Sequence, residues 1–222
     1  MANVREGTLS QNIGVYIGSY FDESESLSLD DMQWNALYIW DALLNSFNWT
    51  ENAIAALLGN MQAESSMNPG RWQSDDVGNT SGGYGLVQWT PATKYINWVE
   101  SGNSLTDDPS EMDNNLFRIH FEALNGMQWI PTSSYPMSFK EFIESEDDPE
   151  ELSKAFLLNY ERPADQSSSV QNYRAALANY WYQYITNGEL PDIPELEPET
   201  KTGKKKGYNF LLFNRRRRTG HV

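Results

Sequence analysis

Glu64 follows Met61 by three residues and Leu57 by seven, so a helix continuing from Leu57 carries its carboxylate on the same side as an apolar stripe. At the C-terminal end of that helix the carboxylate loses hydration and faces the negative end of the helix dipole. Both effects disfavour ionisation and raise its pKa. A carboxyl kept protonated near neutral pH is a general acid. A plainer reading stands beside this one, because a Glu at a helix end, followed by Ser65, Ser66 and Pro69, is also what a solvated terminus or a partner for a loop amide looks like.

The rest of the chemical inventory is narrow. The 222 residues include no cysteine and two histidines, His120 and His221. Thiol nucleophiles, disulfide frameworks and cysteine zinc sites are therefore absent, and His-based triads or metal clusters have too few members. No cofactor and no metal are expected, and chemistry must rest on carboxylates, hydroxyls and amides. His120, inside LFRIHFEAL, reads as a structural histidine.

Charge divides the chain sharply. Residues 1–200 hold all 31 acids against eight bases, a balance of −23, and the last 22 residues hold the other eight bases and no acid. So acidic a body is unsuited to sequence-independent nucleic-acid binding, which needs clustered Lys and Arg on phosphates. No stretch approaches the roughly 20 apolar residues of a membrane span. MANVREGTLSQNIG lacks the apolar segment of a secretory signal, so the expectation is synthesis in a cytoplasm with delivery by other means.

The elements that must position Glu64 are mostly helical. With 29 aromatic residues the chain can bury one core of ordinary domain size. Asp30 or Asp31 can cap a helix with Leu37, Trp40, Leu44 and Phe47 at helical spacing, and Thr50 can cap the next, with Ile54, Leu57, Leu58 and Met61 on one face. Residues 65–89 hold five of the 15 glycines and read as a long loop, with a small hairpin around Asn79 to Leu86. Helix starts recur at Thr90-Pro91, Asp108-Pro109, Ser138 with Glu141, and Asp148-Pro149, and a last helix runs from about Val170 to Ile185 with Tyr173, Leu177 and Trp181 inward. The predicted organisation is an acidic N-terminal extension (1–30), one mainly α domain (31–188), a Pro-rich acidic linker (189–200) and a basic, apolar tail (201–222).

Three blocks carry a resemblance. GNMQAESSMNPGRWQ (Gly59 to Gln73), GNTSGGYGLVQWTP (Gly78 to Pro91) and NYERPA (Asn159 to Ala164) together resemble the active-site half of the phage tail lysozymes. The placement of GLVQWTP 21 residues after Glu64 is also similar to goose-type lysozymes and soluble lytic transglycosylases. The resemblance implies a mainly α (α+β lysozyme-like) fold, two helical lobes around a glycan-binding cleft, with Glu64 protonating the glycosidic oxygen of a peptidoglycan strand. It implies Tyr84, Gln88 and Tyr160 as contacts to N-acetyl sugars, Trp72 and Trp89 as stacking platforms or core, and the Gly-rich segment as a cleft floor that sugar approaches closely. For a second carboxylate the loop offers Asp75 and Asp76. Asp76 is preferred because the family tends to place an acid there, against the reading of both as a solvated turn. If neither serves, Glu64 alone can support lytic transglycosylation. Glu161 and Arg162 either orient the cleft or form a local ion pair before Pro163.

The resemblance further implies a virion-associated enzyme that opens the host wall for genome entry, with peptidoglycan and other phage tail proteins as partners. The apolar run Tyr208 to Phe213 within residues 201–222 suggests an anchor to another virion protein. Related tail proteins can carry a zinc peptidase after the lysozyme domain, a site that two histidines cannot build. Two rivals remain at this stage: a tail component that has lost catalysis and binds glycan or serves assembly, and a lytic transglycosylase of a conjugation or secretion apparatus.

Overall fold

The computed structural model describes residues 3–6, 18–22 and 26–188. It is mainly helical, as the spacing predicts. Its elements are β1 (Asn3–Glu6), β2 (Gly18–Phe21), α1 (Leu29–Asp41), α2 (Glu51–Ser65), α3 (Thr93–Trp98), α4 (Met112–Asn125), α5 (Phe139–Ile143), α6 (Pro149–Phe156) and α7 (Ser168–Asn187). Helices α1, α3 and α6 each run on into a π-helical turn, at Ala42–Ser46, Val99–Asn103 and Leu157–Glu161.

α2 is the central helix. The sequence predicts one buried face, but every residue from Ala53 to Met61 is buried, because α1, α6 and α7 all pack around it. The run AIAALLG supplies small residues wherever a neighbour comes close. Gly59 marks the tightest approach: a Cβ there would stand 2.6 Å from the Ala178 nitrogen and 2.8 Å from the Arg174 carbonyl oxygen of α7. Only glycine lets the two helix backbones meet at this point.

Caps follow the sequence with shifts of a few residues. Thr50 caps α2, accepting from Ala53 N–H at 3.3 Å, and Ser138 with Glu141 forms the capping box of α5. Asp148 caps α6 ahead of Pro149. α1, however, is capped by Ser28, which leaves Asp30 and Asp31 in the first turn, where their charge suits the helix dipole. α4 starts at Met112, because Asp108 turns inward on the Ser110 N–H and hydroxyl and Glu111 becomes the residue before the helix.

The segment before α1 is more engaged than a linker. β1 and β2 pair antiparallel, with Asn3 opposite Phe21 and Glu6 opposite Gly18. Phe21 and Leu27 are buried, the Asp22 backbone bonds the Asn68 side chain through both its N–H and its carbonyl, and Ser26 accepts from Arg71 at 2.7 Å. The predicted linker 189–200 and tail 201–222 lie outside the described residues.

The hydrophobic core extends into an aromatic group where α4, α5 and the turn after α6 meet. Trp129 stacks on Phe139 at 4.8 Å and Phe156 on Tyr160 at 4.6 Å, with Phe142 between them. Among the described residues no helix is long and apolar enough to cross a membrane, and no group of three His, Cys, Asp or Glu is placed to hold a metal.

Candidate active site

Glu64 occupies the last turn of α2, as its spacing predicts, with its side chain 22% exposed. The helix ends there because Ser66 and Met67 turn left-handed, and their N–H groups close back onto Gln62 and Met61 carbonyls at 3.0 and 3.3 Å. Ser65, next to Glu64, is buried. Its hydroxyl lies 3.0 Å from the Met61 carbonyl oxygen and 2.9 Å from that of Leu86, tying the end of α2 to the glycine-rich loop.

The partners of Glu64 come from α7 and from the turn after α6. Arg174 Nη2 donates to Glu64 Oε1, and Arg174 Nη1 stands 2.8 Å from Glu161 Oε2. One guanidinium thus bridges two carboxylates, of which Glu161 is 4% exposed. Asn60 holds the guanidinium from below, accepting from Nη1 at its carbonyl at 3.1 Å, while its amide is fixed by Ala56 and Ser153. Neither oxygen of Glu161 accepts an aligned hydrogen bond, although both are buried. Burial pushes the Glu161 carboxyl well above the ordinary range. Arg174 pulls it down, but the adjoining Glu64 charge pushes it up again. Burial works against the charge of Arg174 too, yet Glu161 and Glu64 outweigh it and hold Arg174 above its usual value.

Sequence reasoning did not find Arg174, and it paired Glu161 with the wrong arginine as one of its two readings. Arg162 turns away, donating to the carbonyls of Gln128 at 2.6 Å and Asn159 at 2.5 Å, so no local Glu161–Arg162 pair holds the turn before Pro163. The signal for Arg174 was present. It is the only charged residue of the 20-residue helix α7 and lies on its buried stripe with Leu177, Ala178 and Trp181, whereas Tyr173 is only half-buried.

The loop after α2 forms single bridges in place of a regular hairpin: Trp72 pairs with Tyr84, and Tyr84 with Trp89. The turn therefore lies at Gly85 to Gln88, later than the predicted Asn79 to Leu86. Gly85 has φ +81°, and a Cβ on it would stand 2.6 Å from Asn115 Oδ1. This glycine is required by a protein neighbour, not by an approaching sugar. Asn115 is the buried hub of the loop, accepting from Leu86 N–H at 3.0 Å and donating toward the Tyr95 hydroxyl at 3.0 Å and the Glu111 carbonyl at 2.9 Å.

Three residues expected to touch sugar are placed inside. Tyr84 is 4% exposed, Trp89 2% and Tyr160 1%. Tyr84 packs on Trp72 at 4.6 Å, and Trp89 stacks on Tyr95 at 4.4 Å. Tyr160 donates to Glu122 Oε2 at 2.5 Å, the oxygen that also faces Trp89 Nε1 at 3.4 Å, while Arg118 holds Glu122 Oε1 at 2.7 Å. In this structure the Tyr160 hydroxyl and the Trp89 N–H are engaged by Glu122, and the Tyr84 ring lies against Trp72 in the core. Burial raises the Glu122 carboxyl, against the hydrogen bonds from Tyr160 and Trp89 and the charge of Arg118. Gln88 is only half-buried. It adopts φ +50° and donates to the Gly85 carbonyl at 2.9 Å and to that of Arg71 at 3.2 Å.

Of the loop acids, Asp75 is ion-paired with Arg71 at 2.8 Å, and exposed Asp76 accepts from Asn79 at 3.0 Å. Asp76 thus makes its hydrogen bond within the loop and not to the Glu64 cluster. His120 is structural, as expected, accepting from Trp49 Nε1 at 3.1 Å and stacking on Phe47 at 4.4 Å. Two shallow depressions, one beside Tyr135 and Glu151 and one beside Leu44 and Asn52, include neither Glu64 nor its partners.

Residues 34–185 match the sequence profile of the family described as phage tail lysozyme. Morphogenesis protein 1 of Bacillus phage B103 is 47% identical over 167 residues, which make up 75% of this chain and 43% of that protein. The chain therefore spans less than half the length of this curated relative.

Proposed function

This chain belongs to the phage tail lysozyme family, and from that premise we propose that it is a virion-associated peptidoglycan hydrolase that opens the host wall locally during genome entry. Its reaction is cleavage of the β-1,4 bond between N-acetylmuramic acid and N-acetylglucosamine. The observation that carries the reading is the position of Glu64, a partly exposed carboxyl at the end of a buried helix, set against a buried guanidinium.

Glu64 delivers a proton to the glycosidic oxygen. The C1–O electron pair leaves with that oxygen as a hydroxyl, and water adds to C1 as its surplus proton returns to the Glu64 carboxylate. Asp76 is the candidate for the second carboxylate, supplied by an exposed loop that substrate can reorder. Gln88 offers an amide to the N-acetyl sugars. Trp89 and Tyr160 act one layer deeper, shaping the floor through Glu122, and Tyr84 does so through Trp72 and Tyr95.

The test is mass spectrometry of fragments released from purified peptidoglycan by the full chain, with Glu64→Gln and Asp76→Asn alongside. Reducing muramic ends that vanish in Glu64→Gln support the reading, and their loss in Asp76→Asn assigns the second carboxylate. Anhydro ends mean lytic transglycosylation with one carboxylate. Detection of the protein in purified particles tests virion association.

The ion pair between Glu64 and Arg174 favours a second reading, a glycan-binding tail module, since a paired carboxylate is also an acceptor for sugar hydroxyls. Fragment release by the wild type excludes it. Retained binding to peptidoglycan with no fragments from any of the proteins would establish it.

A further inference from the structure

The turn after α6 places a second carboxyl behind Glu64. Glu161 ends the π-helical turn Leu157–Glu161, where the wider winding and the left-handed Arg162 that follows carry its side chain into the interior. It reaches Arg174 there but no aligned hydrogen-bond donor, while Glu64, on the same guanidinium, is partly exposed. The cluster thus contains two carboxyls and one cation, with the buried carboxyl short of donors and the other partly exposed.

Charge balance constrains such a group. Two carboxylates on one buried guanidinium leave an uncompensated negative charge in a medium that solvates it poorly, whereas one proton shared by the pair makes the cluster neutral. We propose that Glu161 is the positioning partner that stores this proton behind Glu64 and passes it forward when substrate covers the site, an inference that rests on the hydrolase reading above. As substrate covers the site, the single proton passes from Glu161 O–H to the Glu64 carboxylate, and Glu64 then gives it to the glycosidic oxygen, leaving both carboxyls ionised. The water that adds to C1 returns one proton through Glu64 to Glu161, so the cluster ends as it began.

The groups that face Glu161 fit this role. Glu64 approaches from α2 and Arg174 from α7, with Tyr173 acting on Arg174 from the same helix. Arg162 is spent on backbone carbonyls, and Lys154 of α6 is paired with Glu151 at the surface. Burial and the Glu64 charge both favour the neutral form of Glu161 over its ion.

The test uses the full chain, with Glu161→Gln as an isosteric amide that donates but carries no labile proton, and Glu161→Asp as the conservative variant. The infrared difference between wild type and Glu161→Gln at pH 7 is expected to contain the carbonyl band of a protonated carboxylic acid. Glu122 contributes equally to both proteins and cancels. Carboxylate bands in that difference overturn the proposal, whatever the activity. In peptidoglycan cleavage, kcat of Glu161→Gln at pH 7 is expected to fall roughly 10²-fold, with the alkaline limb of the rate profile moved to lower pH and partial recovery in Glu161→Asp. A loss of equal size at every pH reduces Glu161 to a structural prop and also overturns it. An inactive wild type sinks the hydrolase reading instead, and the infrared comparison then decides by itself whether Glu161 holds the proton. Should Glu161→Gln not fold, Glu161→Met, of similar length and without a carboxyl, carries both measurements.

Discussion

Tyr160 and Trp89, 71 residues apart in the chain, converge on one oxygen of buried Glu122, the phenol at 2.5 Å and the indole at 3.4 Å. The glycine-rich loop and the turn that carries Glu161 are thereby fastened to the same point on α4. Removing the phenol leaves that oxygen with the longer bond alone. Tyr160→Phe is expected to destabilise the fold by about 1–3 kcal/mol in urea unfolding, with KM for glycan unchanged. A raised KM at unchanged stability would restore Tyr160 as a sugar contact.

Gly59→Ala sets a methyl group against the Ala178 backbone, which cannot move aside as a flexible side chain can. α2 and α7 must separate, at a cost of about 1–3 kcal/mol. Because Arg174 and Glu64 sit on the two helices being pushed apart, glycan cleavage is expected to fall as well. Thermal unfolding and fragment release measured on one preparation check both effects.

The raised carboxyl of Glu161 makes the fold bind a proton that the unfolded chain releases above about pH 4.3. Native protein then holds more protons than unfolded protein, so this group's contribution is fully present below that pH and is lost as pH rises toward its folded value. Glu161→Gln removes this slope. The stability of the variant relative to wild type is expected to grow with pH above about 4.3, as read from denaturant midpoints across pH. A difference independent of pH would show that Glu161 is ionised in the native state.

His120 has the opposite sign. Burial lowers its pKa, so the native state keeps the ring neutral and the unfolded chain takes up a proton first. Its contribution is present above about pH 6.5 and is lost as pH falls through its lowered folded value. His120→Gln is expected to flatten that acid-side loss while weakening the fold at neutral pH, where the Trp49 bond is made.

Much of this was legible in the residues. Glu64 at the end of an apolar helix and the Thr50, Ser138 and Asp148 caps follow from spacing and local chemistry, because those interactions lie within a turn or two of chain. What escaped depends on distance. Arg174 and Glu64 are 110 residues apart, and their pairing requires the α2–α7 approach that Gly59 permits. Tyr84, Trp89 and Tyr160 look like sugar contacts by type, yet a tyrosine hydroxyl or an indole N–H is as readily spent on a buried carboxylate as on a ligand. For Trp89 and Tyr160 only the tertiary position of Glu122 tells the two apart.

The single charge on α7 has a meaning for assembly as well as for chemistry. A helix of twenty otherwise uncharged residues, many aromatic, has several ways to slide along an apolar neighbour with similar burial. Arg174 removes that degeneracy. Displaced by one turn along α7, it would leave a guanidinium in hydrocarbon and two carboxyls facing no cation, a penalty far above what shifted packing could offset. The arginine thus serves as an index pin, admitting one axial setting of α7 against α2, and that setting is the one in which the Glu64 cluster is complete.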